Sequence, residues 1–208
     1  LECFQFAVDY IKRVLPGGEL RAVITSSDIA VGLCESYKNG IDLKAIKKFI
    51  KKNNGLKTGV EIEKEMIVEL KRLSEMKFED IPNTVLSKES CDDFIIALKS
   101  LGILCDDDSE NSEVKWSYEL FGETITEFKG ISIQLFLNGR KVAVIGQIYD
   151  SFYKKLKECD FSIRNLQTPS ITSCRIDYNA IKLIIYEKIQ SENFLNTLTN
   201  KTKKIFKS

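Results

Sequence analysis

An α+β fold is expected, with a helical N-terminal half followed by a mixed or antiparallel sheet and flanking helices. Three observations lead there. Apolar residues recur at intervals of three and four through the first half of the chain. An Asn138-Gly139 pair separates two runs that alternate apolar with polar residues. Short β-branched segments dominate after position 103.

The elements follow in order. Residues 4–15 place Phe4, Ala7, Val8, Ile11 and Leu15 on one helical face, and Pro16-Gly17-Gly18 ends the run. Residues 20–25 are short and apolar, a strand or the first turn of the next element. Ser26 or Ser27 then caps a helix, with Asp28 at the positive end of its dipole. This helix carries Ile29, Ala30, Leu33 and Tyr37 and stops at Asn39-Gly40. Asp42 caps a helix over 43–52 that turns Ile46, Phe49 and Ile50 inward and its lysines outward. A longer helix is predicted over 60–76 with Ile62, Met66, Leu70 and Leu73 inward, and another from Ser87 or Lys88 through Phe94, Ile95, Leu98 and Leu101 to Gly102.

Beyond Gly102, 103–105 and 114–118 are strands expected to pair across the acidic loop that holds Asp106, Asp107 and Asp108. The hairpin comes next. Ile131, Ile133, Leu135 and Leu137 alternate with Ser132, Gln134 and Phe136, and after the turn Val142, Val144 and Ile148 alternate with Lys141, Ala143 and Gln147. Both central residues of such a two-residue turn need positive φ, which Asn and Gly tolerate best. A short helix over 150–159, strands over 161–166 and 171–176, a segment 180–189 readable as strand or helix, and a lysine-rich helical end complete the chain. Two divisions fit equally: a helical region 1–102 with a helix-turn-helix-like segment plus an α+β region 103–208 with the β-hairpin, or one α+β domain.

Charge is sorted into blocks although the net charge is +1. Positions 38–57 hold seven lysines and one acid, and 89–127 hold eleven acids and two lysines. Positions 140–208 hold thirteen bases and six acids. Blocks of one sign create a directional field that selects partners. The 208 residues contain no histidine. That excludes Ser-His-Asp and Cys-His nucleophile pairs, His-ligated zinc and a His general base. The assignment therefore leans away from an enzyme.

Six cysteines lack any CxxC spacing and read as reduced, mostly buried thiols. No apolar run reaches the roughly 20 residues of a membrane helix, and the first residues do not form a secretory signal. An intracellular protein, cytoplasmic or nuclear, is expected.

The lysine helix is the leading site. Lys44, Lys47, Lys48, Lys51 and Lys52, with Lys57 beyond them, suit docking against phosphates in a helix-turn-helix-like frame, although nothing in the helix before Asn53 reads bases. The competing reading is an ordinary solvated helix face. In the acidic loop, Glu113-Val114-Lys115 downstream of the aspartates matches weakly the Asp…Glu-x-Lys arrangement of metal-dependent nucleases. An exposed loop tip is the simpler reading. Trp116 and Tyr118 form either a stacking face or part of the core. Gly146 lacks the following glycines of a dinucleotide fingerprint. No cofactor or metal set is predicted.

The leading expectation is a non-enzymatic nucleic-acid-associated protein that binds the phosphate backbone through the lysine face. An adaptor or assembly module using complementary charge blocks is the alternative, and a metal-dependent phosphodiesterase the third. The partners are correspondingly nucleic acid, an acidic protein surface or a second copy of the chain.

Overall fold

The computed structural model describes residues 1–35, 41, 43–53, 64–105, 113–148 and 172–205. Six helices and six strands are named here in chain order. They are α1 (Glu2–Val14), β1 (Leu20–Ser26), α2 (Ser27–Glu35), α3 (Leu43–Asn53), α4 (Lys64–Ser74) and α5 (Lys88–Ser100). Then come β2 (Leu104–Cys105), β3 (Val114–Tyr118), β4 (Phe128–Leu137), β5 (Arg140–Ile148), β6 (Thr172–Ile176) and α6 (Tyr178–Ile205). Short 3-10 turns lie at Phe78–Asp80 and Glu123–Thr126.

The architecture is α+β. One mixed sheet runs in the order β2-β3-β1-β4-β5-β6. β1 pairs parallel with β3 and antiparallel with β4, so a strand from the first half of the chain lies between two from the second. Residues 20–25, open in sequence between strand and helix turn, are thus a central strand. All but one of the β1 residues are buried. A strand covered on both faces has no polar alternation to announce it.

Register places Ala22 opposite Leu135 and Trp116, and Ile24 opposite Ile133 and Tyr118. These residues share one face, since cross-strand partners point the same way. They join Phe4, Ala7, Val8 and Ile11 of α1 and Ile95 and Leu98 of α5 in one core whose members run from Phe4 to Ile184. α1 packs against β5 and β6, α2 against β4, α5 against β2 and α6 against β5. On the opposite face the Glu123–Thr126 turn packs over β1 and β4. Thr25, Ser132 and Gln134 are buried. The outward polar face expected for the hairpin is therefore partly covered, and Gln134, Phe136 and Lys141 border a groove there.

The hairpin itself forms as read. Asn138 and Gly139 have φ of 50° and 78°, and β4 pairs antiparallel with β5. Its register shifts between Lys129 and Ser132, where Gly130 adopts φ 66° and its N–H donates to Ser27 Oγ at 2.8 Å. Gly146 faces the Phe128 ring so closely that an added Cβ would stand 2.6 Å from Cγ.

Two expectations are corrected. β2 and β3 pair, but parallel, with Leu104 opposite Val114, so 103–118 is not a hairpin. β3 takes its direction from β1, beside which it also runs parallel. Leu101 is exposed rather than inward: α5 ends at Ser100, and Gly102 at φ 69° redirects the chain toward Ile103, which is buried instead. The helix expected over 60–76 is present as α4, Lys64–Ser74, and positions 60–63 lie outside the described residues. The segment 180–189, open between strand and helix, is helical, within α6. The predicted elements at 150–159 and 161–166 lie outside the described residues.

Candidate functional site

α3 is built from two stripes. Ile46, Phe49 and Ile50 are buried, and Phe49 meets Phe121 edge to face at 6.0 Å between ring centroids. α3 packs on α4 and on the Glu123–Thr126 turn, whereas α2 packs on β4. The connection between α2 and α3, where a helix-turn-helix turn was expected, is mostly outside the described residues. Positions 44, 47, 48, 51 and 52 recur at three and four and so lie on the other side of the helix. Lys44, Lys51 and Lys52 are exposed, and Lys47 and Lys48 are half-buried. The structure thus brings these five sequence-predicted lysines into one row spanning about 12 Å along the axis. Lys57 lies outside the described residues. Burial, and then the neighbouring Lys51, hold the Lys47 ammonium below its ordinary range.

The charge blocks behave differently from one another in space. Lys141 Nζ lies 2.8 Å from Glu123 Oε2, and Arg175 Nη2 lies 2.7 Å from Glu127 Oε2. Arg140 Nη2 lies 3.1 Å from Glu187 Oε1. Three basic residues of the C-terminal third, Arg140, Lys141 and Arg175, are therefore matched by acids, two of them from the acidic block. Glu113 also has a partner, Lys12 at 3.3 Å, and Lys115 has Glu19 at 3.5 Å. Among the described residues, Lys44, Lys48, Lys51 and Lys52 form no ion pair with any carboxylate.

The acidic rim near α3 is on its inner side. A groove of about 360 Å³ is bordered by Ile50 of α3 together with Glu119, Glu123, Gln134, Phe136 and Lys141. That groove sets two carboxylates against one ammonium, Lys141, which is already paired with Glu123, whereas the outer row carries lysines and is the side that favours a phosphate.

A second cavity of about 360 Å³ was not legible in the sequence. It opens where α1, α2 and α5 begin and is bounded by Ser26, Asp28, Ser90, Phe94, Ile133 and Gln147, among others. Ser26 Oγ accepts from the Ile29 N–H at 3.3 Å, as its predicted capping role requires, and Ser27 Oγ donates to Asp28 Oδ1 at 3.3 Å. The elements around it come from distant parts of the chain, so no local spacing marks it.

The other sequence candidates resolve as follows. Glu113 and Lys115 flank Val114 at the start of β3, but both are held in the ion pairs above. No group of three His, Cys, Asp or Glu suited to a metal ion occurs among the described residues, and Asp106, Asp107, Asp108 and Glu110 lie outside them. Trp116 and Tyr118 are core members: Phe78 packs against both, at 6.4 and 4.9 Å, and Lys99 Nζ sits 5.4 Å from the Trp116 ring centre. Cys3, Cys34, Cys91, Cys105 and Cys174 are free thiols, and Cys159 lies outside the described residues. No described helix is long and apolar enough to cross a membrane.

No protein-family model matches the chain, and no curated protein matches it by sequence. Solved structures match it by shape. One is an ATP phosphoribosyltransferase regulatory subunit/histidyl-tRNA synthetase from Bacillus halodurans C, at a TM-score of 0.51 and 14% identity over 74% of this chain. The match spans 43% of that protein, less than half its length. The likeness is one of fold.

Proposed function

We propose that this chain is a non-enzymatic module that binds nucleic acid through the phosphate backbone, with Lys44, Lys47, Lys48, Lys51 and Lys52 of α3 as the contact row. The observation that carries the reading is the contrast in charge pairing. Arg140, Lys141 and Arg175 are matched by carboxylates, whereas four of the five α3 lysines have none among the described residues. Unmatched ammonium groups in a row release counterions from a phosphate chain when they dock, and that release drives sequence-independent binding. A row of lysines also offers point charges rather than the planar forks that read base edges, so contact with the backbone without base discrimination is the expected mode.

RNA is the first nucleic acid to test. One protein of similar fold is described as an ATP phosphoribosyltransferase regulatory subunit/histidyl-tRNA synthetase, and a tRNA-linked neighbour makes RNA the natural first probe. The test compares two charge-removed variants in a mobility-shift assay with single-stranded RNA, structured RNA and duplex DNA at low salt. One variant carries Lys44→Gln, Lys48→Gln, Lys51→Gln and Lys52→Gln; the other carries Arg140→Gln, Lys141→Gln and Arg175→Gln. Loss of binding in the first and its retention in the second supports the proposal. Failure of the unmodified chain to shift any nucleic acid removes it.

A further inference from the structure

Among the described residues the outer face of α1 meets only the edge of α6 at Tyr178, although it is built from large apolar groups. Phe6 and Tyr178 are 61% and 57% exposed, and both touch the half-buried Tyr10. The Phe6 and Tyr10 rings stack at 6.4 Å, and Tyr10 meets Tyr178 edge to face at 6.0 Å. The result is a continuous aromatic run that crosses from α1 to α6. Ile189, three turns along α6 on the Tyr178 side, is also about half exposed. Scattered apolar residues on a surface are ordinary, but a joined aromatic run marks an association surface.

The same stripe of α1 is self-complementary in charge. Glu2, Phe6, Tyr10 and Arg13 recur at four, four and three, so they share one face. Glu2 and Arg13 are exposed and have no ion-pair partner among the described residues. Phe6 and Tyr10 share a midpoint at position 8, and Glu2 and Arg13 share one between positions 7 and 8. A two-fold axis at that point would lay α1 antiparallel on its copy. Phe6 would then meet the second copy's Tyr10 while Glu2 met the second copy's Arg13. Such reciprocity is the signature of an isologous contact, in which one patch serves both sides. One helix stripe is smaller than the roughly 800 Å² per partner of a standard interface, and the adjoining Tyr178–Ile189 edge of α6 extends it.

We propose that the Phe6–Tyr10–Tyr178 face binds a second copy of this chain about a two-fold axis through the middle of α1. The surface is independent of the α3 lysine row. Sedimentation velocity across a concentration series tests it, with circular dichroism to confirm that each variant is folded. The unmodified chain is expected to show a monomer–dimer equilibrium. Phe6→Ser and Tyr178→Ser should each raise the dissociation constant about tenfold or more, as loss of a central aromatic anchor does. Glu2→Lys or Arg13→Glu alone should weaken the dimer, and the two together should restore it, because the swapped charges again face one another. A chain that is monomeric at every concentration overturns the proposal. So does a dimer indifferent to both aromatic substitutions, or a charge swap that fails to rescue.

Discussion

Lys141 and Glu123 meet at 2.8 Å and join the basic end of the chain to its acidic middle. The contact sits beside α3, on the rim of the groove that Ile50 also lines. It shows that the blocks apparent in the sequence are not all free to act on a partner. Both side chains are about half exposed, so the pair stabilises the fold by no more than roughly 1 kcal/mol. Its consequence is electrostatic: it removes Lys141 from the set of unmatched cations, whereas Lys44, Lys48, Lys51 and Lys52 of α3 stay in that set among the described residues. Lys141→Ala should therefore leave nucleic-acid affinity nearly unchanged, whereas Lys51→Ala should weaken it measurably in the same titration.

The glycines of the hairpin should separate into two kinds. Gly139 has φ 78° and open space where a Cβ would go, so Gly139→Ala should cost about 1 kcal/mol through backbone strain alone. Gly139→Asn should recover part of that loss. Gly146 has no positive φ, but a Cβ there would overlap the Phe128 ring. Gly146→Ala should cost about 1–3 kcal/mol, the range for an overpacked core. Urea denaturation midpoints of the three variants check the ordering, and equal losses for Gly139→Asn and Gly146→Ala would refute it.

Lys88 is the one charged side chain among the buried residues described, at 6% exposure. Its Nζ donates to the Ile81 carbonyl and stands 5.5 Å from the Phe78 ring centre. The lysine thus ties the start of α5 to the turn that carries Phe78. Lys88→Met keeps the apolar stem but leaves the Ile81 oxygen without this donor. A loss of about 1–3 kcal/mol is expected in thermal or urea unfolding. An unchanged midpoint would show that the bond contributes nothing net.

Tyr118 and two buried thiols give a signature at high pH. Burial first, and then nearby acids, push Cys34 and Cys91 up to about 12. Burial, then the neighbouring Cys91, likewise raises the Tyr118 hydroxyl. In the unfolded chain a thiol ionises near its ordinary value of 9.0. Above that value the unfolded state has released protons that the folded state retains, so stability falls as pH rises, by up to about 1.4 kcal/mol per pH unit per thiol. Urea midpoints should drop between about pH 8 and about pH 10, and the drop should shrink in Cys34→Ala measured against its own midpoint at the lower pH. Below the unfolded value the thiols contribute no pH dependence. Tyr118 also carries a buried hydroxyl without a hydrogen-bond partner among the described residues. Tyr118→Phe should be neutral or stabilising by about 1 kcal/mol, since an unsatisfied polar group is removed with little change of shape.

Much of the fold was legible because its signals are local. Asn138-Gly139 announces its own turn, and Ile46, Phe49 and Ile50 announce the inner stripe of α3. The lysine row followed from the same spacing read on the opposite face. What was not legible is non-local. β1 is buried on both faces except at Arg21 and reads equally as strand or helix turn until β3 and β4 are seen beside it. The parallel direction of β2 and β3 depends on β1, far away in the chain. The pairing of Arg175 with Glu127 spans 48 positions, and that of Lys141 with Glu123 spans 18. No window of sequence shows that these charges are matched while those of α3 are not. The cavity near Asp28 is hidden for the same reason, since its walls come from six separate stretches of chain.

The most direct test of the lysine-row proposal is the salt dependence of RNA binding, followed by fluorescence anisotropy for the unmodified chain and for the Lys44→Gln, Lys48→Gln, Lys51→Gln, Lys52→Gln variant. Each phosphate contact contributes a slope of about 0.7 in log affinity against log salt for single strands. The variant should therefore bind more weakly and lose about 3 units of slope. An unchanged slope and affinity, or the same loss on substituting Arg140, Lys141 and Arg175 instead, would contradict the assignment of α3 as the contact surface.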